Sequence, residues 1–296
     1  MILIADSGST KTHWTLMAAS GKSQDYSTDG INPFFLSAEQ VENIIEYQLL
    51  PQVSGQLWAG MITRIFFYGA GCTPEKKGIV VNALQHSGLS VSGNFKVEVQ
   101  SDIVGAARGL LQHEPGIACI LGTGSNSALY DGENIVRQVP ALGFILGDEG
   151  SGSVLGRQLV SDILKNQLPK ELQEAFFEQY KLTQADIIER VYRQPLPNRF
   201  LASFSPFCYE HKDHPAIEAL LFNHFRQFVT RILLQYYQTE DEKQAMPVGF
   251  VGSIAYYYKD ILNRVLKDYH LRLGQIEQDP IEGLKLYHKD DLQPTM

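Results

Sequence analysis

The chain has 296 residues, enough for one large or two medium domains with a sizeable core. Lys and Arg total 25 against 33 Asp and Glu, a formal net charge of −8, which excludes a general electrostatic pull towards nucleic acid or anionic membrane and leaves a small molecule as the expected partner. No apolar stretch approaches the ~18 residues that span a bilayer, Asp6 interrupts any signal core, and Cys72, Cys119 and Cys208 are too scattered for a disulfide frame, so the chain reads as cytoplasmic with reduced thiols.

In chain order, residues 1–15 read MILIADSGSTKTHWT. Ile2, Leu3 and Ile4 are expected to form a buried strand that breaks into the turn residues Asp6, Ser7, Gly8, Ser9 and Thr10, with a second strand from about His13. Small residues let backbone N–H groups approach an anion, Ser9 and Thr10 add hydroxyls, and Lys11 adds a positive charge, so the turn reads as a phosphate cradle. Asp6 beside it would repel phosphate unless a cation lay between them, which points to Mg²⁺ held by acid, water and phosphate. The plain alternative is a hairpin turn in an ordinary sheet.

Asn32 follows in a turn-rich segment and reads locally as a turn residue before Pro33. Ser37 and Gln40 form a capping box for a helix whose face carries Val41, Ile44, Ile45 and Leu49. A strand over 64–68, a helix from Thr73 and Pro74 to near Gly88, and a strand from Phe95 to Gln100 come next. That strand delivers Asp102 to its carboxyl end, where a helix begins over 103–111. Ligands of open α/β sheets collect at such ends, although an aspartate there also serves as an N-cap.

Residues 117–130 read IACILGTGSNSALY, a second apolar run that breaks into Gly122, Thr123, Gly124, Ser125 and Asn126. Gly8 aligns with Gly124, and Gly21 loosely with Gly132 where each hairpin closes. A repeated phosphate-turn hairpin predicts two related lobes. Neither copy has the G-x-x-x-x-G-K-[ST] or G-x-G-x-x-G spacing, which excludes the commonest nucleotide motifs. Thr123 offers a hydroxyl to phosphate, and Asn126 can donate to and accept from a sugar hydroxyl, or both brace the turn.

Residues 141–156 read ALGFILGDEGSGSVLG, and adjacent acids among glycines mark Asp148 and Glu149 as ligand contacts. Helices are expected from 154 to 194 with boundaries at Pro169 and Thr183, then a linker at Pro195 and Pro197. Cys208, Glu210, His211 and His214 match no standard zinc spacing and read as a polar loop before a helix. In that helix Ile217, Leu220, Leu221, Phe225, Phe228 and Ile232 share one face as core. A buried strand over 248–251 leads into Gly252 and Ser253, a turn that accepts a nucleotide's base and ribose closely, and a short amphipathic helix spans 280–287.

The stretches 6–12, 100–102, 122–126, 147–152 and 249–253 occur in the order found in N-acetylglucosamine kinases, which the chain resembles over nearly its whole length. Those enzymes belong to the BadF/BadG/BcrA/BcrD ATPase family, within the superfamily of sugar kinases, actin and heat-shock chaperones. LGTGSN followed by LGDEGSG is the most specific element of the likeness. The resemblance implies an α/β, two-lobed ribonuclease H-like (actin-like ATPase) fold with a duplicated mixed β-sheet and the nucleotide in the inter-lobe cleft. Its lobes would be residues 1–103, joined by a helical segment over 280–296, and residues 104–279.

The same resemblance implies ATP with Mg²⁺. Asp6, Gly8, Ser9, Thr10, Lys11, Gly122, Thr123, Gly124, Gly252 and Ser253 would hold ATP, with Asp6 on the metal. Asp102 would be the general base acting on the 6-hydroxyl of N-acetylglucosamine, and Asn32, Asn126, Gly143 and Asp148 would bind the sugar. The family's tryptophan before Gly143 is Leu142 here, which keeps N-acetylmuramic acid and other hexosamines open as acceptors. Some relatives are reductase activators with a cluster on paired cysteines, which this chain lacks; a nucleotide-driven ATPase activator of a partner protein is a further alternative. Homodimers are usual in the kinases it resembles.

Overall fold

Among the described residues, alternation and apolar runs resolve into ten strands in two sheets of the same pattern. The computed structural model describes residues 1–54, 62–89 and 96–292; the expected strand start at Phe95 and residues 293–296 of the expected terminal segment lie outside them. The first sheet holds β1 (Ile2–Ser7), β2 (Lys11–Met17), β3 (Ser23–Asp29), β4 (Arg64–Gly69) and β5 (Lys96–Ser101) in the order β3-β2-β1-β4-β5. The second holds β6 (Gly116–Leu121), β7 (Ser125–Tyr130), β8 (Ile135–Gln138), β9 (Val248–Val251) and β10 (Leu273–Glu277) in the order β8-β7-β6-β9-β10. In both, the first strand pairs antiparallel with the second and parallel with the fourth, so the expected duplicated mixed sheet is present.

The chain divides into two compact units, Met1–Glu114 with Asp279–Met296, and Pro115–Gln278. The division falls after the helix Asp102–Leu111, so residue 103, taken as the end of the first lobe, lies inside that helix.

In the first unit β1 is buried on both faces, as parallel pairing demands. Leu3 and Ala5 join Trp14, Val41, Ile45, Phe67 and Leu84 on one side, while Ile2 and Ile4 join Phe66, Tyr68, Ile281 and Leu284 on the other. The second face is therefore covered by the helix Ile281–Tyr287, which lies far away in sequence. In the second unit the helix Pro215–Arg231 buries Ile217, Leu221, Phe225 and Phe228 against Leu121, Leu155 and Phe250, about 1.5–3 kcal/mol per side chain.

Several local expectations shift. β1 runs on through Asp6 and Ser7, and β2 starts at Lys11, leaving only Gly8, Ser9 and Thr10 as the turn. The helix expected from Thr73 begins at Lys77. Pro197 opens the helix Pro197–Ala202 instead of a linker, because proline at the first helical position gives up an N–H that has no partner there anyway. Both expected boundaries with side-chain caps hold: Ser37 with Gln40 and Thr183 with Asp186 form reciprocal capping boxes.

All three thiols are free and buried. Cys208 lies within the helix Ser205–Glu210, while His214 caps Pro215–Arg231 through Nδ1, which accepts from the Ala216 N–H at 3.1 Å. Among the described residues no group of His, Cys, Asp or Glu could hold a metal by itself, and no helix is long and apolar enough to cross a membrane.

Candidate active site

In the first unit, parallel pairing brings the carboxyl ends of β1, β4 and β5 into line, with Ser7 level with Gly69 and Gly69 level with Ser101. Asp6 and Asp102 therefore lie at the same end of the sheet, with β4 between them. Ser101 is the N-cap and Asp102 the first helical residue, so Asp102 is not the cap itself; its Oδ1 accepts the Ile103 N–H at 2.8 Å.

The first turn is held by close backbone approach. A Cβ on Gly30 would come within 2.5 Å of the Gly8 carbonyl oxygen, and the Gly30 N–H donates to Thr10 O at 3.1 Å. Ser7 Oγ lies 2.7 Å from Thr12 Oγ1 and donates to Ile31 O at 3.0 Å. Asn32 is buried at this turn. Its Oδ1 accepts the Phe34 N–H at 3.0 Å and its Nδ2 reaches Ser9 Oγ at 3.5 Å. The Gly8 N–H closes the turn on Lys11 O at 3.0 Å, and the Gly122 N–H does the same on Gly124 O at 3.0 Å, so in both turns that donor is engaged internally. Lys11 is exposed at the start of β2.

Sequence reasoning missed Asp279. It follows β10 as Asp102 follows β5, which makes it Asp102's counterpart in the duplicated pattern. Its Oδ2 bonds His13 Nδ1 at 3.2 Å and its Oδ1 accepts the Ile281 N–H at 3.1 Å. The only local signal was an Asp-Pro pair ahead of a helix. Burial favours a protonated Asp279, but the bonds from His13 and Ile281 outweigh it and hold the carboxyl below its usual range. The same bond to Asp279 raises His13.

Asp6 is pushed up to about 7 by burial, then by the charges of Asp279 and Asp102, with His13 opposing. Three carboxylates gathered within electrostatic reach, incompletely offset by His13, are the donor chemistry that fits Mg²⁺. They form no chelate among the described residues, and Mg²⁺ commonly takes one or two carboxylates and completes its shell with water and phosphate.

The raised Asp6 binds more protons folded than unfolded between about pH 4 and 7, so its contribution to stability is present at low pH and lost as pH rises through the folded value. Asp6→Asn is expected to be more stable than the parent at pH 8 by about 1–2 kcal/mol, discounting for partial solvation, with the gap closing near pH 4. Urea unfolding of the metal-free protein at both pH values checks this, and an equal gap at both would contradict it.

In the second unit the turn Gly122–Gly124 is tied to the acidic loop. Gly152 N–H donates to Gly122 O at 2.8 Å and Ser153 N–H to Thr123 O at 3.1 Å. A Cβ on Gly124 would lie 3.0 Å from Asp148 Oδ2. Asp148 holds the left-handed conformation at φ 55°, a strained backbone for a residue with a Cβ. Burial raises its carboxyl, opposed by hydrogen bonds from the Ser125 and Gly143 backbones. Gly252, at φ 112°, sits where any Cβ would overlap the Leu121 carbonyl, so the turn into Ser253 packs directly against the end of β6. This unit thus brings Gly122, Thr123, Gly124, Gly143, Asp148, Gly252 and Ser253 together. Asn126 lies on β7, with Oδ1 engaged by the Ser127 N–H at 2.9 Å and Gln138 Nε2 at 2.7 Å.

Glu149 departs from expectation: it is only 8% exposed and pairs with Arg231 Nε at 2.7 Å, a structural ion pair that consumes its charge. Phe228, on the same helix, packs beneath Gly150, and a neighbouring His224 is pushed down to about 4 by burial, with a hydrogen bond to the Gly150 backbone opposing. The helix Pro215–Arg231 grips the loop after Asp148. Sequence alone showed that helix as core and gave no sign of this second duty.

No family model and no curated protein matches the chain. Among solved structures, a candidate N-acetylglucosamine kinase from Porphyromonas gingivalis is 47% identical over 98% of this chain and 99% of its own, with a TM-score of 0.92. A second candidate N-acetylglucosamine kinase, from Chromobacterium violaceum, is 20% identical over 99% and 98% with a TM-score of 0.73. A ROK family glucokinase from Streptomyces griseus, solved with glucose and AMPPNP, is 13% identical over 98% of each chain with a TM-score of 0.57. The last two share the fold, that of the actin-like ATPases. The first shares both fold and sequence along the whole length. The chain belongs to the N-acetylglucosamine kinase-like family of sugar kinases.

Proposed function

We propose that this chain is an ATP-dependent amino-sugar kinase that transfers the terminal phosphoryl group of ATP to the 6-hydroxyl of N-acetylglucosamine. The observation that carries the reading is 47% identity, end to end, with a candidate kinase for that sugar. The gathering of Asp6, Asp102 and Asp279 at one end of the first sheet supports it chemically. The finer assignment is to the BadF/BadG/BcrA/BcrD branch, working in the cytoplasm.

Phosphoryl transfer asks mainly for positioning and charge stabilisation, which backbone cradles and one base supply. In the first unit Asp102 takes the proton of the attacking hydroxyl, Asn32 holds the sugar, and Gly8, Ser9, Thr10 and Lys11 receive phosphate. Asp6 would hold Mg²⁺, which when bound would neutralise phosphate charge. In the second unit Thr123 gives its hydroxyl to phosphate between Gly122 and Gly124, while Gly252 and Ser253 accept the adenosine. Asp148, beside Gly143, orients sugar hydroxyls; Asn126 contributes its Nδ2, since its oxygen already has partners.

Leu142, 56% exposed where kinases of this type carry a flat ring, favours a second reading in which a bulkier N-acylated hexosamine such as N-acetylmuramic acid is accepted. ADP release measured against a panel of hexoses and N-acetylhexosamines separates the readings. N-acetylglucosamine should give the highest kcat/KM. ATP turnover indifferent to every sugar would overturn the kinase assignment in favour of a nucleotide-driven activator.

A further inference from the structure

The helix Pro215–Arg231 presents His224, Phe228 and Arg231 along one stripe, since they recur at the spacing of a helical face. All three meet the loop that carries Asp148. The His224 ring bonds the Gly150 backbone, Phe228 lies where a Cβ on Gly150 would come within 3.0 Å, and Arg231 Nε donates to Glu149 Oε1 at 2.7 Å. The ion pair is lopsided: Glu149 is buried, whereas the Arg231 side chain is 64% exposed. The carboxylate therefore depends on the guanidinium far more than the guanidinium depends on it.

Glu149 stands between two left-handed residues, Asp148 at φ 55° and Gly150 at φ 81°. Glycine adopts that conformation freely, but aspartate does so under strain that its surroundings must sustain. Backbone bonds fix the segment at both ends, with Gly147 N–H donating to Gly143 O at 2.8 Å and Gly152 N–H to Gly122 O at 2.8 Å. Between them Ser151 N–H donates to Asp148 O at 3.0 Å, and the Glu149 side chain adds the ion pair. Without Arg231 a buried carboxylate would lose its counter-charge, a costly state in a folded protein. The nearest relief is for Glu149 to swing out to water, which turns the peptide it shares with Asp148 and lets the strained residue relax.

We propose that Arg231 is a positioning residue for the acceptor sugar: through Glu149 it holds Asp148 in the conformation that presents its carboxylate to the sugar hydroxyls. The inference rests on the sugar-binding role proposed for Asp148. It places control of sugar affinity on a surface side chain at the end of a helix otherwise given to the core.

Steady-state kinetics of Arg231→Met test it, since methionine keeps an apolar stem and drops the charge at a mostly exposed helix end where the fold should survive. KM for N-acetylglucosamine is expected to rise about tenfold, with KM for ATP within about twofold of the parent and kcat at saturating sugar nearly kept. Arg231→Lys, which returns a cation to a single-point contact, should recover most of the loss. Glu149→Gln combined with Arg231→Met should do the same, because a buried amide needs no counter-charge. Chemical denaturation run alongside separates affinity from folding. A lower unfolding midpoint with unchanged sugar KM in Arg231→Met would overturn the proposal, as would equal rises in both KM values or no recovery in either rescue variant. A parent protein whose ATP turnover ignores every sugar would sink the kinase reading and this inference together, whereas a sugar-dependent parent with an unaltered Arg231→Met sinks this inference alone.

Discussion

Asp102→Asn is expected to lower kcat by a factor on the order of 10² or more while ATP and sugar still bind with nearly parental affinity. The substitution keeps the side chain's volume and the oxygen that accepts the Ile103 N–H, so the start of the helix Asp102–Leu111 should stay intact. What it removes is the capacity to take a proton. It also removes one of the charges that raise Asp6, so the Asp6 titration should move down in the variant. That gives a readout of geometry separate from catalysis. A drop in kcat with unchanged KM for both substrates fits a group that acts in the transition state alone. Turnover close to the parent, with Asp6 shifted, would leave the carboxylate well placed and uninvolved.

Gly283→Ala is expected to destabilise the first unit by about 3 kcal/mol. An added Cβ would overlap the carbonyl of Gly109, and both partners are backbone, so no rotamer change relieves it. In the reverse direction a Cβ on Gly109 would lie 2.8 Å from Pro280. Gln112 Nε2 stitches this crossing by donating to Gly109 O and Gly283 O, each at 3.0 Å. The helix pushed aside is the one that Asp102 opens, so activity should fall along with stability. Gly78→Ala, where an added Cβ meets nothing within 4 Å, serves as the control and should be near neutral. Chemical denaturation of both variants gives the comparison, and equal stability would mean the two helices are not in the tight contact described.

The duplicated hairpin was legible because the same run of apolar and then small residues occurs twice, and side-chain size and polarity write directly into strand and turn. The capping box at Ser37 was legible for a similar reason, since its partners lie three residues apart, while Thr183 was read only as a helix boundary and its box with Asp186 emerges in the structure. Relations between distant residues were not. The His13–Asp279 bond spans 266 residues, and nothing local at either end points to the other. Nothing in the sequence singles out Gly109 and Gly283; only the crossing shows what their missing side chains permit. Glu149 looked like a ligand contact because composition reports a charge and not its partner, and Arg231 lies on an element of different apparent purpose. Pro197 misled in the opposite direction, since the same ring that ends one helix begins another.

The helix Ile281–Tyr287 completes a core begun by Ile2 and Ile4, which has a consequence for synthesis. As the nascent polypeptide leaves the ribosome, its earliest strands have one apolar face covered only in part, by the helix Asp102–Leu111, until residues beyond 279 have been translated. The segment Pro115–Gln278, contiguous in sequence, is free to fold sooner. The part of the first unit's core that needs Ile281 and Leu284 is thus completed only after the whole second unit has been made.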